Sequence, residues 1–341
     1  MGAITVSGLT RTAQKYQKEL QMLPYAVMAE VLADHGVNLF PGVQYKDTII
    51  TLERKQGIAR PYAVDAAISN ATLGKMVEAD LEVKKAYASI KDNIWNYKEK
   101  LMVTPDELVG KNTVKKHPFE LQIMMNQIRT FSEDVMDSLF NGERNDSGTT
   151  PLDLYDGFET IVLAAITAGS ITGGKGNYLE TSTFAAPADN SDTNAIDYLV
   201  TWLRAANMFL KKDCMLLLPV QIHNYVVDAL ENKLKYKDVT VPVVEAYLKD
   251  KCNLRNFKYK PTDYMGTGDR LMLVKPGMLD FGMNSMSDAE FVQVRDAYED
   301  PNYFQYWIQG DYGARIRSFN EKVFFTNDGS LTAAQLAGDY S

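Results

Sequence analysis

The chain has 341 residues, 45% hydrophobic and 23% charged, which is typical of soluble globular proteins with about two or three domain-sized units. This composition excludes a largely disordered chain, and two cysteines, Cys214 and Cys252, are too few for a disulfide scaffold and indicate reduced thiols in a cytoplasm. Residues 1–125 hold 16 Lys and Arg against 14 Asp and Glu, so the totals of 36 and 44 leave 20 against 30 for the rest, an acidic balance that disfavours tight nucleic-acid binding.

The N-terminal region predicts an arm followed by a helix. Residues before Thr10 show no periodicity, whereas apolar residues recur at spacings of three and four from Gln14 to Asp34, before His35-Gly36. Pro24 indicates a kink or a division into two shorter helices. Because no basic region precedes an apolar run, and no apolar run approaches about 18 residues, we expect neither a signal peptide nor a membrane span.

Residues 41–100 have the composition of β-strands without a core of their own. The segment Tyr45–Leu52 is rich in β-branched residues, Val77–Tyr97 alternates in part, and residues 59–74 between them have no period. This pattern predicts a long hairpin-like excursion that buries itself against another chain. The hypothesised inter-subunit contacts on it are Tyr45, Lys46, Ile49, Leu52, Arg54, Arg60 and Tyr62.

The strongest helical pattern runs from Pro118 to Gly142. It predicts a long spine helix, with proline near its first turn and glycine after its end. A Gly-, Ser-, Thr- and Asp-rich break follows at residues 143–151. The apolar stripe of the helix consists of Leu121, Met124, Ile128, Phe131, Val135 and Leu139.

Helices and strands alternate after the break, which predicts a compact α/β or α+β module. Helices are expected at 152–168, 192–209, 220–234 and 241–251, and strands at 214–219, 257–260 and 270–275, with a long loop at 169–190.

The end of the chain is predicted to be a β-meander with one face covered by the spine helix. Its expected strands are 290–298, 303–309, 314–320 and 323–325, with turns at 300–302 and 310–313 and a polar tail at 329–341.

One motif raises the possibility of nucleotide chemistry. The sequence Gly169-Ser-Ile-Thr-Gly-Gly174-Lys175 fits part of a phosphate-binding loop, but Gly176 stands where a magnesium-binding Ser or Thr is needed, and no helical pattern follows. The histidines His35, His117 and His223 lie far apart and have no partner at ligand spacing. We therefore predict no catalytic, cofactor or metal site, and a protein that is not an enzyme.

The order of these elements resembles the Hong Kong-97-type capsid fold of the major capsid proteins of tailed bacteriophages. The segments that carry the resemblance are Pro118–Gly142, Leu154–Gly169, Met215–Pro219 and Phe304–Phe325. The resemblance implies an α+β fold with an N-arm, an extended E-loop hairpin, a P-domain of spine helix plus β-meander, and an A-domain. Its expected boundaries are 1–40 for the arm and first helix, 41–100 for the E-loop, 101–150 for the spine, 151–288 for the A-domain and 289–341 for the meander and tail.

The resemblance also implies partners. The chain is expected to form hexamers and pentamers of an icosahedral capsid around double-stranded DNA, with weak non-specific DNA contact, no membrane, and other virion proteins such as portal or auxiliary proteins. The expected location is the virion, after assembly in the host cytoplasm. Lys46 and Lys55 lie where some relatives form isopeptide bonds, but no motif fixes their partners. Two alternatives remain: an encapsulin-like non-viral shell protein, and a soluble α/β enzyme using the Gly169–Gly176 loop.

Overall fold

A computed structural model describes residues 6–54, 74–93, 119–180, 184–284, 292–296 and 303–329. Arg60, Tyr62, His117, the tip at 59–73 and the tail after 329 lie outside them. The α-helices are α1 Val6–Lys15, α2 Gln17–Asp34, α3 Phe119–Asn141, α4 Phe158–Thr167, α5 Asn194–Ala205, α6 Val220–Leu234 and α7 Val241–Cys252. The strands are β1 Val37–Pro41, β2 Lys46–Arg54, β3 Gly74–Glu82, β4 Lys84–Asn93, β5 Asp213–Pro219, β6 Asn256–Thr262, β7 Met272–Val274, β8 Leu279–Met283, β9 Val292–Asp296, β10 Tyr303–Ile316 and β11 Phe324–Thr326.

The N-terminal helices depart from the sequence prediction. Helix α1 begins at Val6, inside the expected arm, and the break between helices lies at Tyr16, whereas Pro24 lies within α2. Proline costs α2 one backbone hydrogen bond. The buried stripe Leu20, Met28 and Leu32 offsets that cost, because tertiary packing supplies most of the stability of helices in proteins.

The spine helix is confirmed as α3. All six residues of its predicted apolar stripe are buried, and its 23 residues span about 35 Å. Phe131 packs against Tyr312 of β10, with ring centroids 6.0 Å apart. The Tyr306 hydroxyl lies 3.4 Å from the Met124 carbonyl oxygen. The helix therefore covers one face of the sheet that contains β10, as the sequence predicted.

Two sheets share the core, and their membership corrects three predictions. The larger has the order β1-β8-β10-β4, with β9 also on β10, and the smaller has the order β11-β7-β5-β6. Strand β4 therefore belongs to the main sheet and not to the excursion, and β8 belongs there and not to the A-domain. Strand β11 pairs with β7 and so leaves the predicted meander. Local alternation predicts a strand but not its partner.

The predicted helices and strands of 151–326 are confirmed in kind where the structure describes them but differ at their ends, and the predicted turn at 300–302 lies outside the described residues. The predicted helix at 152–168 is a short 3-10 turn at Pro151–Asp153 followed by α4, and α5 is shorter than the predicted 192–209. The predicted strands 303–309 and 314–320 are one continuous β10. The predicted turn between them, Gly310–Gly313, is therefore wrong.

The smaller sheet is buried on both faces. Met215 and Leu217 of β5 face the core that contains the spine helix, whereas Leu216 and Leu218 face a second core with α5, α6 and α7. A strand covered on both sides needs a continuous apolar run, and the predicted buried strand at Cys214–Pro219 supplies it. Helices α5, α6 and α7 thus pack on the face of this sheet opposite the spine helix.

A glycine contact joins the end of the spine helix to the chain entering α4. The Gly157 amide donates to the Gly142 carbonyl at 2.8 Å, and a Cβ added at Gly142 would lie 2.4 Å from the Tyr155 carbonyl oxygen. The Ser138 carbonyl oxygen would lie 2.7 Å away, and neither backbone oxygen can move unless the element that carries it moves. We expect Gly142→Ala to cost about 1–3 kcal/mol, as overpacking does, measured by urea unfolding.

Gly174→Ala is the matched control for that substitution. Nothing lies within 4 Å of a Cβ added at Gly174, so this change should stay within about 0.5 kcal/mol of wild type. Equal effects of the two substitutions would contradict the close approach.

Candidate assembly surface

The two-stranded ribbon of β2 and β3 is the candidate site, because it forms a sheet of its own beside the two larger sheets. Its ladder is antiparallel, from the pair Lys46 and Glu82 to the pair Arg54 and Gly74. Two nine-residue strands span about 30 Å. Strand β3 passes through Val83 alone into β4, so one stretch of chain belongs first to the ribbon and then to the main sheet.

The inner face of the ribbon packs on its own subunit. Leu81 and Ala79 are buried, and Ile49 is partly buried beside a small cluster that Leu81 forms with Val43 and Val83. This face lies against β8, where a Cβ added at Gly282 would approach Leu81 and Val83 to 3.0 Å. The base of the ribbon is therefore held in place.

The outer face exposes apolar side chains. Ile50 is 61% exposed and Met76 is 71% exposed. Met76 lies two positions from Glu78, which is opposite Ile50 in the ladder, so Ile50 and Met76 share that face. A cluster of exposed apolar residues on an extended element is typical of an interaction surface.

Charged groups near the base of the ribbon are satisfied within the chain. Lys46 Nζ lies 2.7 Å from Asp80 Oδ2, and the Thr48 hydroxyl donates to Asp80 Oδ1 at 2.9 Å. These hydrogen bonds lower the pKa of Asp80, and the same carboxylate raises the pKa of Lys46. Both groups are exposed, so the pair orients Lys46 more than it stabilises the fold.

The structure separates the predicted contact residues. Tyr45 and Lys46 lie at the ribbon base, whereas Ile49 faces inward. Leu52 and Arg54 lie in the distal half of β2, and Arg60 and Tyr62 lie outside the described residues. Sequence reasoning missed Ile50 and Met76. Counting alternate positions from Lys46 would have found Ile50, because residues two apart in a strand share a face.

The glycine-rich loop does not have the geometry of a phosphate-binding loop. Gly173–Lys175 forms a single 3-10 turn that ends at Gly176, so no helix N-terminus is available for phosphates. Lys175 Nζ donates to the Gly169 carbonyl at 2.6 Å. The buried Asn177 side chain donates to the Ser170 and Phe319 carbonyls, which fixes the loop to the chain before β11.

The described histidines have structural partners. His35 is buried between the Val31 carbonyl and the Thr262 hydroxyl, at 2.7 and 2.8 Å. His223 lies 3.1 Å from the Tyr259 hydroxyl, and burial lowers its pKa. Within the described ranges, no group of three or more His, Cys, Asp or Glu could hold a metal ion, and no helix is long and apolar enough to span a membrane.

Comparison with solved structures identifies the fold. A chain from the procapsid of satellite phage P4, in a structure including the size determination (Sid) protein, matches with a TM-score of 0.57 at 11% identity, covering 89% of each chain. A chain from the capsid of the native GTA particle has a TM-score of 0.52 at 12% identity, covering 87% of this chain and 88% of that one.

A third match, from the capsid of Myoviridae phage XM1, has a TM-score of 0.50 at 11% identity and covers 87% and 90% of the two chains. No protein-family model matches the sequence, and no curated protein matches it. The chain has the Hong Kong-97-type capsid fold, which confirms the predicted α+β class and architecture.

Proposed function

We propose that this chain is the structural subunit of an icosahedral phage capsid that encloses double-stranded DNA. The observation that carries the proposal is the ribbon of β2 and β3 on a capsid fold. Its inner face is held by its own subunit, and its outer face exposes Ile50 and Met76. A neighbouring subunit that covers this face would remove the exposed apolar area from water.

The E-loop of this proposal is shorter than the sequence predicted, because β4 belongs to the main sheet. We assign the ribbon, residues 46–82 with its tip, to the E-loop that lies over a neighbouring subunit. Strands β4, β8, β9 and β10 with the spine helix form the P-domain, and the module around β5, β6 and β7 forms the A-domain at the capsomer centre. The N-terminal segment reaches adjacent capsomers.

The proposed partners are other copies of the chain, in hexamers and pentamers, together with portal or auxiliary virion proteins. The proposed location is the virion capsid, after assembly in the host cytoplasm. The role is structural and not enzymatic, which agrees with the loop geometry at Gly169–Gly176.

Electron microscopy of the purified full chain, with sedimentation velocity, tests this function. We expect hexamers, pentamers or closed shells. A uniform monomer or small oligomer at every salt concentration would refute it. The native genome separates the two kinds of shell. If no phage genes lie beside the gene for this chain and the native host still produces the shells, an encapsulin-like compartment would be favoured instead.

A further inference from the structure

A basic cleft lies at the end of the A-domain module, away from the ribbon residues. It has a volume of about 720 Å³ and lies between residues 208–212, after α5, and residues 249–255, at the end of α7. Asp250 is the one acidic residue in its described lining. The cations that line it are Lys211, Lys212, Lys249 and Arg255.

Part of this charge has a structural role. Lys249 lies in the last turn of α7, where a cation complements the helix dipole, and it pairs with Glu245 at 2.6 Å. Lys212 and Arg255 are exposed, and neither forms an ion pair within the described part of the chain. Residues 126–341 hold 20 Lys and Arg against 30 Asp and Glu, so a cation cluster here runs against the local charge balance.

Lys211 places a partly desolvated ammonium group at the cleft, which a bound anion would stabilise. It is half-buried, and its Nζ donates to the Arg204 carbonyl at 2.6 Å. Burial lowers the pKa of Lys211. A bound anion would favour the charged form of this partly desolvated ammonium group.

We propose that this cleft binds the phosphate backbone of nucleic acid. Met208 in its lining is 67% exposed, and Lys212 Nζ lies 4.9 Å from the centroid of the neighbouring Phe209 ring. Clustered lysine and arginine side chains are the groups that neutralise and hydrogen-bond backbone phosphates, and four such cations face one carboxylate in this lining. This inference rests on the proposed shell function only where it identifies the ligand as the enclosed DNA. The cleft would then be a local, salt-sensitive DNA contact on an otherwise acidic subunit.

Fluorescence anisotropy of the full chain with a labelled DNA duplex of about 20 base pairs, over about 50 to 200 mM salt, tests the proposal. Lys212→Gln/Arg255→Gln should flatten the slope of log affinity against log salt by about 2, because each lost phosphate contact removes about 0.9. Affinity near 50 mM salt should fall roughly tenfold per lost contact. The matched control Lys237→Gln/Lys275→Gln removes the same charge from exposed lysines outside the cleft and should leave the slope unchanged.

Electron microscopy of the same variants separates the possible outcomes. Normal shells with weakened DNA binding in the cleft variant alone would support the proposal. Equal weakening in both variants, or no wild-type binding, would overturn it. Lost assembly with unchanged DNA binding would also overturn it, because the cleft would then bind an acidic face of a second copy. The wild-type chain could also bind DNA through the cleft and yet form no shells under any condition. That result would support this inference and refute the proposed shell function.

Discussion

Replacing residues 51–77 with Asn-Gly should abolish shell assembly while leaving the subunit folded. Ile50 and Glu78 face each other across the ribbon, and a two-residue Asn-Gly turn is the preferred closure for such a hairpin. The change removes Met76 and the distal ribbon. Under the proposed function, no neighbouring subunit would then be engaged by this element.

The subunit should stay folded because the removed segment contributes nothing to the two large cores among the described residues. Those cores draw on the helices, the main sheet and the A-domain sheet, while the small ribbon cluster retains Leu81 and Val83. The melting temperature by circular dichroism should change by a few degrees, and sedimentation should show only small species. Normal shells from this variant would contradict the role assigned to the ribbon.

A wider deletion of residues 44–97 should behave differently. This deletion also removes β4. Strand β4 pairs with β10 from Tyr303 to Tyr312, and buried Ala86 belongs to the main core. We therefore expect the wider deletion to unfold the main sheet. The two deletions together locate the boundary between ribbon and body.

Sequence periodicity correctly predicted the elements that are buried on one face only or on both faces, because each kind of burial leaves a local pattern. The spine stripe was confirmed because residues at spacings of three and four share one helix face. The strand at Cys214–Pro219 was confirmed because its apolar run is long enough for burial on both sides. Neither prediction required knowledge of which distant segment provides the packing partner.

The glycines of β10 show why other predictions failed. Gly310 and Gly313 were interpreted as a turn, yet they lie inside a strand. A Cβ at Gly310 would lie 2.5 Å from the Tyr312 hydroxyl, and one at Gly313 would lie 2.1 Å from the Glu82 carbonyl oxygen. A glycine in the sequence can therefore indicate a turn, or it can indicate a strand position that backbone or an aromatic ring approaches closely. Only the tertiary structure distinguishes the two.

The candidate surface was predictable as a region but not as a set of side chains. Ile49 and Leu52 were both chosen, although residues three apart in a strand lie on opposite faces. Which face is exposed depends on Gly282 of β8, which lies about 230 residues further along the chain and packs against Leu81 and Val83. No local pattern contains that information.

Glu159→Ala should destabilise the subunit by about 3–5 kcal/mol, because it leaves the Arg270 cation buried and without its counter-ion. Arg270 Nε donates to both Glu159 carboxylate oxygens, at 2.8 and 2.9 Å, and the two side chains are 1% and 2% exposed. Arg270 Nη1 also donates to the Asn327 carbonyl. The pair thus links the start of α4, the start of β7 and the segment after β11.

The double substitution Glu159→Leu/Arg270→Met should recover much of that loss, because a packed apolar pair avoids the desolvation cost of two buried charges. The lost bond to Asn327 should cost about 1 kcal/mol. Urea unfolding of Glu159→Leu, Arg270→Met and the double variant gives the coupling energy. Glu82→Gln, which breaks the exposed pair with Lys84, is the control and should change stability by less than about 1 kcal/mol. Additive single effects would show that the two buried charges do not depend on each other.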